Sequence, residues 1–408
     1  MNNSLVYIMS PTHVISSIAA IKTLHPDDLP AVTFLAHWPG VGTEVVEQIG
    51  TLVSRISSGF PFVKNVITMS SDEKAALSPN GDLAGTILAL KRRTGDRYHE
   101  IYYAHDIEGG MFNLLCASFP KAKRICFGDG LGNVYQKHVH LGFLFPDAFA
   151  SEATDEKKTG PLRKTVERLG RLRLFRKTNL TLKDIEAKQF SPHIAVLILP
   201  IDQSGYFLRG VDLIVPEKAL VLDIVRTCIS AAEDLSQYID NLLTTHHNRG
   251  KYVLLTDNIA EGNFIEFDTE IKMYCTMLKE HCRPESVIFL KSHPGETLPR
   301  NEAIKQQLSG PFQIEELDTR FKRYPIEMWE PLVINSEVIC LSYPVLSLKY
   351  LYEVDVIQPM DDVFVEKWFP EWTWASYKNA ATLYMEPLKR LAEWDGRSVL
   401  WSGSIAQG

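Results

Sequence analysis

Short apolar runs, each followed by a longer helical pattern, recur along this chain and constrain its fold more than any other feature. In the first half the runs fall at 5–9, 31–36, 64–69, 99–104 and 123–127, with helical patterns at 13–23, 43–57, 81–93 and 109–118 between them. Short strands separated by helices make βαβ units and a parallel sheet. The run 194–199 adds a further strand, and 220–247 reads as one or two connecting helices. A second alternation begins at Lys251: strands at 252–257, 287–291, 312–317, 338–342 and 354–358, helices at 265–281, 300–308 and 345–352. At 408 residues the chain exceeds the ~250–300 at which a single core stops growing. We therefore expect an α/β protein of two Rossmann-like doubly wound domains facing a cleft. The expected division is 1–245 with linking helices, 246–375, and a helical tail, 376–408, packing back on the first domain. That tail follows a turn rich in tryptophan (Trp368, Trp372, Trp374), which fits a staple onto a domain.

The charge balance excludes one class of partner. Forty-three Lys and Arg against fifty Asp and Glu give a net charge of -7, unlike the basic surface of a nucleic-acid binder. Six scattered cysteines without CxxC spacing read as buried thiols in a reducing compartment. Residues 1–4 lead straight into the first strand without a basic or apolar leader, and no apolar stretch approaches the ~20 residues of a membrane span. These features predict a cytoplasmic protein. One stretch is locally basic: Arg163, Lys164, Arg168, Arg171, Arg173, Arg176 and Lys177 alternate with apolar residues. It reads either as a solvated helix face or as a peripheral contact with anionic lipid at the inner membrane, or with a polyanionic glycan.

The chemistry-bearing residues sit where strands give way to loops, the edge at which open α/β sheets bind ligands. His293 follows the apolar run 287–290 within KSHPGE, and Pro294 biases it toward an extended backbone that aims the ring. Gly295 follows directly. Asp129 follows the run 123–127 within Phe127-Gly128-Asp129-Gly130-Leu131-Gly132, where glycines leave a carboxylate in an open crevice or in a plain Asp-Gly turn. Asp106 and Glu108, after the run 99–104, are a second acidic pair that equally suits a helix N-terminus. Glu327 follows Tyr324-Pro325-Ile326, and an ionised carboxylate there can accept hydrogen bonds from vicinal ribose hydroxyls. Ser342 ends the run 338–342 ahead of a helix carrying Ser347, an arrangement suited to an anion. Neither half has a full GxGxxG; Gly40-Val41-Gly42 lacks the third glycine, which disfavours a nicotinamide enzyme. No DxD motif is present to hold a metal.

This ordered set of an acidic-glycine motif, a His-Pro step, a Pro-x-Glu and a serine-bearing strand end resembles the bacterial sialyltransferases and polysialyltransferases of GT-B fold. The likeness covers the layout of the whole chain through short motifs. Two positions depart from it. Gly128 stands where the first acid of the family's [DE]-[DE]-G pair would be, and Ser342-Tyr343 replaces paired serines. The resemblance implies transfer of a sialic acid from CMP-sialic acid to a glycan hydroxyl of capsule or lipopolysaccharide type, inverting at the anomeric carbon and needing no metal or other cofactor. It implies Asp129 as general base, with Asp106 as the backup. It implies His293 at the leaving phosphate, and Pro294, Gly295, Glu327, Ser342 and Ser347 around the donor in the second domain. Acceptor contacts are expected from first-domain loops such as 10–13 and 37–38. Two alternatives stay open: a donor carrying another CMP-activated 2-keto sugar acid (Kdo or legionaminic type), and a non-catalytic nucleotide-sugar binding protein.

Overall fold

The computed structural model describes residues 2–38, 41–77, 82–104, 110–132, 190–201, 203, 211–308, 310, 312–374, 377–378, 391 and 396–401. The expected tail helix (apart from residue 391), the basic stretch 163–177, and Asp106 and Glu108 lie outside these residues. Strands β1 (Asn3–Ile8), β2 (Ala31–Ala36), β3 (Val63–Thr68), β4 (Glu100–Tyr103), β5 (Lys123–Cys126), β6 (Ile194–Val196) and β7 (Asp212–Val215) belong to a first sheet. Strands β8 (Lys251–Leu255), β9 (Val287–Lys291), β10 (Gln313–Glu316), β11 (Glu337–Cys340) and β12 (Val356–Ile357) form a second. A last strand, β13 (Val399–Trp401), returns to the edge of the first sheet and pairs antiparallel with β7.

Every other pairing in both sheets is parallel. The first sheet runs β13-β7-β6-β5-β4-β1-β2-β3 and the second β10-β9-β8-β11-β12. Both contain the doubly wound 3-2-1-4-5 order, in which the chain starts centrally, works to one edge, then crosses back. The strand order reverses between β1 and β4 in the first sheet and between β8 and β11 in the second. Two Rossmann-like domains in tandem, the GT-B architecture, are thus what the repeating pattern forms.

The core explains why the central strands are apolar almost throughout. Leu5 to Ile8 on β1, and Val287 to Leu290 on β9, have almost no exposed surface, because helices cover both faces of each sheet. Truncating one such side chain to alanine costs about 2–5 kcal/mol. The helices Lys218–Ser230 and Glu233–Thr245 link the two domains, burying Val221, Ile224, Val225, Cys228, Leu235 and Ile239. Arg55, on a first-domain helix, bonds Asp234 at 2.8 Å and the hydroxyl of Tyr324 in the second domain at 3.1 Å. All six cysteines are free and buried. Among the described residues no helix is long and apolar enough to cross a membrane.

Candidate active site

The second sheet presents a cavity of about 290 Å³ at the carboxyl ends of its strands. Its wall comes from four segments: Leu255 to Asp257 at the end of β8, Lys291 to Pro294 at the end of β9, Arg323 to Ile326, and Ser342 to Pro344 after β11. β8 and β11 are the neighbours between which the strand order reverses, where diverging crossovers open a crevice. The cavity is therefore a consequence of topology, and its chemistry comes from the residues that each strand end contributes.

His293 is fixed as its surroundings require. Its Nδ1 accepts the backbone N–H of Gly295 at 3.0 Å, so the neutral ring carries its proton on Nε2. Burial, then the positive charges of Lys291 and Arg300, push its pKa down to about 4. It is a neutral hydrogen-bond donor at physiological pH. The loop behind it is braced by the buried Arg300, whose guanidinium lies 2.5 Å from Glu261, and 2.8 Å from both Glu270 and Glu296. Glu296 also accepts the hydroxyls of Thr256 at 3.0 Å and Ser292 at 3.3 Å, while Glu261 accepts the amides of Thr297 and Leu298. A buried arginine shared by carboxylates that also hold backbone amides rigidifies the loop that aims the imidazole.

Two cations line the cavity that the sequence pattern alone did not single out. Lys291 ends β9 with its side chain buried; its Nζ donates to the carbonyl of Lys322 at 3.0 Å and lies 5.6 Å from the ring centroid of Trp329. Burial pushes its pKa down to about 8. Arg323 is half-buried, burial pulls its pKa below the usual range, and no carboxylate among the described residues pairs with it. With His293 they give the cavity the character of an anion site. Asp257 supplies the opposite charge: burial pushes it up to about 6, opposed by the nearby Ser342 hydroxyl and the positive charge of Arg300. The run 252–257 carried the same strand-end signal as His293, so Asp257 was legible by that rule.

Ser342 lines the cavity, and its hydroxyl also lies 3.4 Å from the thiol of Cys340. Pro294 lines it too, while Gly295 serves through its N–H to His293. Glu327 and Ser347 sit differently. Ser347, on the helix Pro344–Tyr352, donates its hydroxyl to Glu327 at 2.6 Å; both are buried, and neither lines the cavity. Burial raises the Glu327 pKa, opposed by the Ser347 bond and by Lys291.

Asp129 lies on the other domain, beyond β5, with its side chain 37% exposed. Gly128 has φ of +86°, the left-handed region that side chains avoid, which explains why an acid does not stand there. One partner of Asp129 is His13, at the first turn of the helix Thr12–Leu24 after β1. Its Nε2 lies 2.9 Å from the Asp129 Oδ1 and 3.2 Å from the Asp129 carbonyl. His13 belongs to the loop 10–13 expected to contact an acceptor, and its ring is buried against the acid. Gly132, three residues on, meets the second domain. A Cβ there would lie 2.2 Å from the carbonyl oxygen of Tyr343, a residue of the cavity wall. The acidic loop of one domain thus abuts the serine loop of the other. Among the described residues no group of three or more His, Cys, Asp or Glu is placed to hold a metal ion.

No protein-family model matches the sequence, and no curated protein matches it. Among solved structures, the chain is similar to a UDP-GlcNAc 2-epimerase from Neisseria meningitidis bound to UDP-GlcNAc, at 11% identity over 96% of this chain and 94% of that one, TM-score 0.49. It is similar to a 2,6-sialyltransferase from Photobacterium sp. JT-ISH-224 in a ternary complex with CMP and lactose, at 11% identity over 95% of this chain and 76% of that one, TM-score 0.49. A glycosyl transferase family 9 protein from Veillonella parvula is similar at 9% identity over 96% and 98% of the two chains, TM-score 0.39. Each is a likeness of fold.

Proposed function

We propose that this protein is a glycosyltransferase that moves a sialic acid from CMP-sialic acid to a glycan hydroxyl, with inversion and without a metal. The observation that carries this reading is the cavity of Lys291, His293, Arg323 and Ser342 on one domain, abutted by the Asp129 loop of the other. In the proposed step the acceptor hydroxyl gives its proton to the Asp129 carboxylate as its oxygen bonds the anomeric carbon. The bond from that carbon to the CMP phosphate breaks, and its electron pair leaves with the phosphate oxygen. His293 Nε2–H donates to that oxygen, Ser342 shares the charge, and Lys291 and Arg323 balance it. Glu327 and Ser347 support the floor of this site rather than touch the donor directly.

The test is release of CMP from CMP-sialic acid with a panel of glycan acceptors in the presence of EDTA. We expect release in the wild type and a loss of about 10²–10⁴-fold in turnover for His293→Ala, with the circular dichroism unchanged. Donor binding without release, with every acceptor tried, would sink the catalytic reading in favour of a binding protein. Release only from CMP-Kdo or a legionaminic-type donor would reassign the sugar.

A further inference from the structure

We infer that His13 is the positioning residue of the general base: it fixes and holds ionised the carboxylate of Asp129. The inference rests on the transferase reading above and names the device that makes its base work. Both nitrogens of His13 are committed. Nδ1 accepts the backbone N–H of Met9 at 3.2 Å, so the neutral ring carries its proton on Nε2, which faces Asp129 Oδ1 at 2.9 Å. The ring has no exposed surface, and its edge packs on Phe127 with centroids 5.4 Å apart at 70°.

That geometry settles the division of labour. A histidine acting as base needs an unprotonated nitrogen facing the substrate hydroxyl, and the unprotonated nitrogen here, Nδ1, is tied to the chain's own backbone. Asp129, more than a third exposed, is the member of the pair that a substrate hydroxyl can reach. The imidazole N–H stabilises the ionised carboxylate and fixes its rotamer, and a carboxylate held this way is presented in one orientation. Met9 and His13 follow β1, while Asp129 follows β5, which is separated from β1 by β4 in the sheet, so the two loops reach each other across the end of β4.

His13→Leu removes the donor while filling much of the same space, and His13→Gln restores an N–H near the Nε2 position. For His13→Leu we expect kcat to fall by about 10²-fold, and the acidic limb of the pH–rate profile to move up by about one to two pH units. His13→Gln should recover most of both. CMP affinity should not change in either variant, because the cavity residues lie on the other domain. A carboxyl-¹³C titration of the substrate-free protein provides a readout that needs no turnover: the Asp129 carboxyl should titrate higher in His13→Leu than in wild type. An unshifted Asp129 titration, or a glutamine variant no better than leucine, overturns the inference. Wild-type protein that shows the expected carboxyl titration yet releases no CMP from any donor would instead overturn the transferase reading alone.

Discussion

His293 and Asp257 show how two shifted groups in one cavity wall can hide each other. The imidazole is pushed down to about 4 and the carboxyl up to about 6, both chiefly by burial. Between those values the effects oppose. An unfolded chain takes up a proton on His293 that the native state refuses, so this group lowers stability as pH falls from its ordinary ~6.5 toward 4. The native state holds a proton on Asp257 that the unfolded chain releases, so that group raises stability as pH falls from 6 toward 4. Removing either unmasks the other. Asp257→Asn should steepen acid destabilisation relative to wild type, and His293→Ala should flatten it, each by up to ~3 kcal/mol. Urea midpoints measured between about pH 7 and pH 4 check this, and parallel pH slopes in all three proteins would contradict the buried placement. The sequence made His293 legible through its strand end and proline. It did not tell which strand-end residues face the cavity. Glu327 follows a proline just as His293 precedes one, yet its side chain turns beneath the wall, because a dipeptide pattern does not encode the direction of a buried side chain.

At the scale of the element, the acidic loop after β5 is shaped by Gly128, and the departure from the two-acid pattern is a backbone effect. Restoring an acid by Gly128→Asp would force a side chain into φ of +86°. We expect a loss of about 1–2 kcal/mol in stability and no gain in activity, read as a lower urea midpoint and an unchanged or lower turnover. A more active and equally stable variant would show that the loop can refold around a second acid. The same contrast between local and distant causes separates the legible strands from the missed ones. β1, β2, β8 and β9 are continuous apolar runs and announce themselves. β7 is four residues long with a charged first position, and β13 is three residues whose partner lies far earlier in the chain. Pairing of that range is decided by tertiary contacts, and local pattern carries no trace of it. The His13 and Asp129 contact, spanning 116 residues, escaped for the same reason.

For the whole molecule, the acidic loop of the first domain meets the serine loop of the second at Gly132, where the neighbouring atoms are backbone. A Cβ on Gly132 would sit 2.2 Å from the carbonyl oxygen and 2.9 Å from the carbonyl carbon of Tyr343, and 3.1 Å from the amide of Ser347. None of these atoms can rotate away as a flexible side chain would, so Gly132→Ala must shift the loops apart by about 1 Å to reach ordinary contact. The cavity residues all belong to the second domain and keep their mutual geometry, whereas Asp129 moves with the first. Binding and turnover should therefore separate. We expect CMP affinity within about threefold of wild type and kcat reduced by about 10²-fold, since under the proposed mechanism a misplacement of this size takes Asp129 away from the reacting hydroxyl. Paired calorimetric titration with CMP and single-turnover kinetics distinguish this from a general loss of fold, which would weaken both together. Unchanged turnover would mean that the acidic loop and the serine loop do not need to meet for the reaction, and that the base is brought to the donor by another part of the first domain.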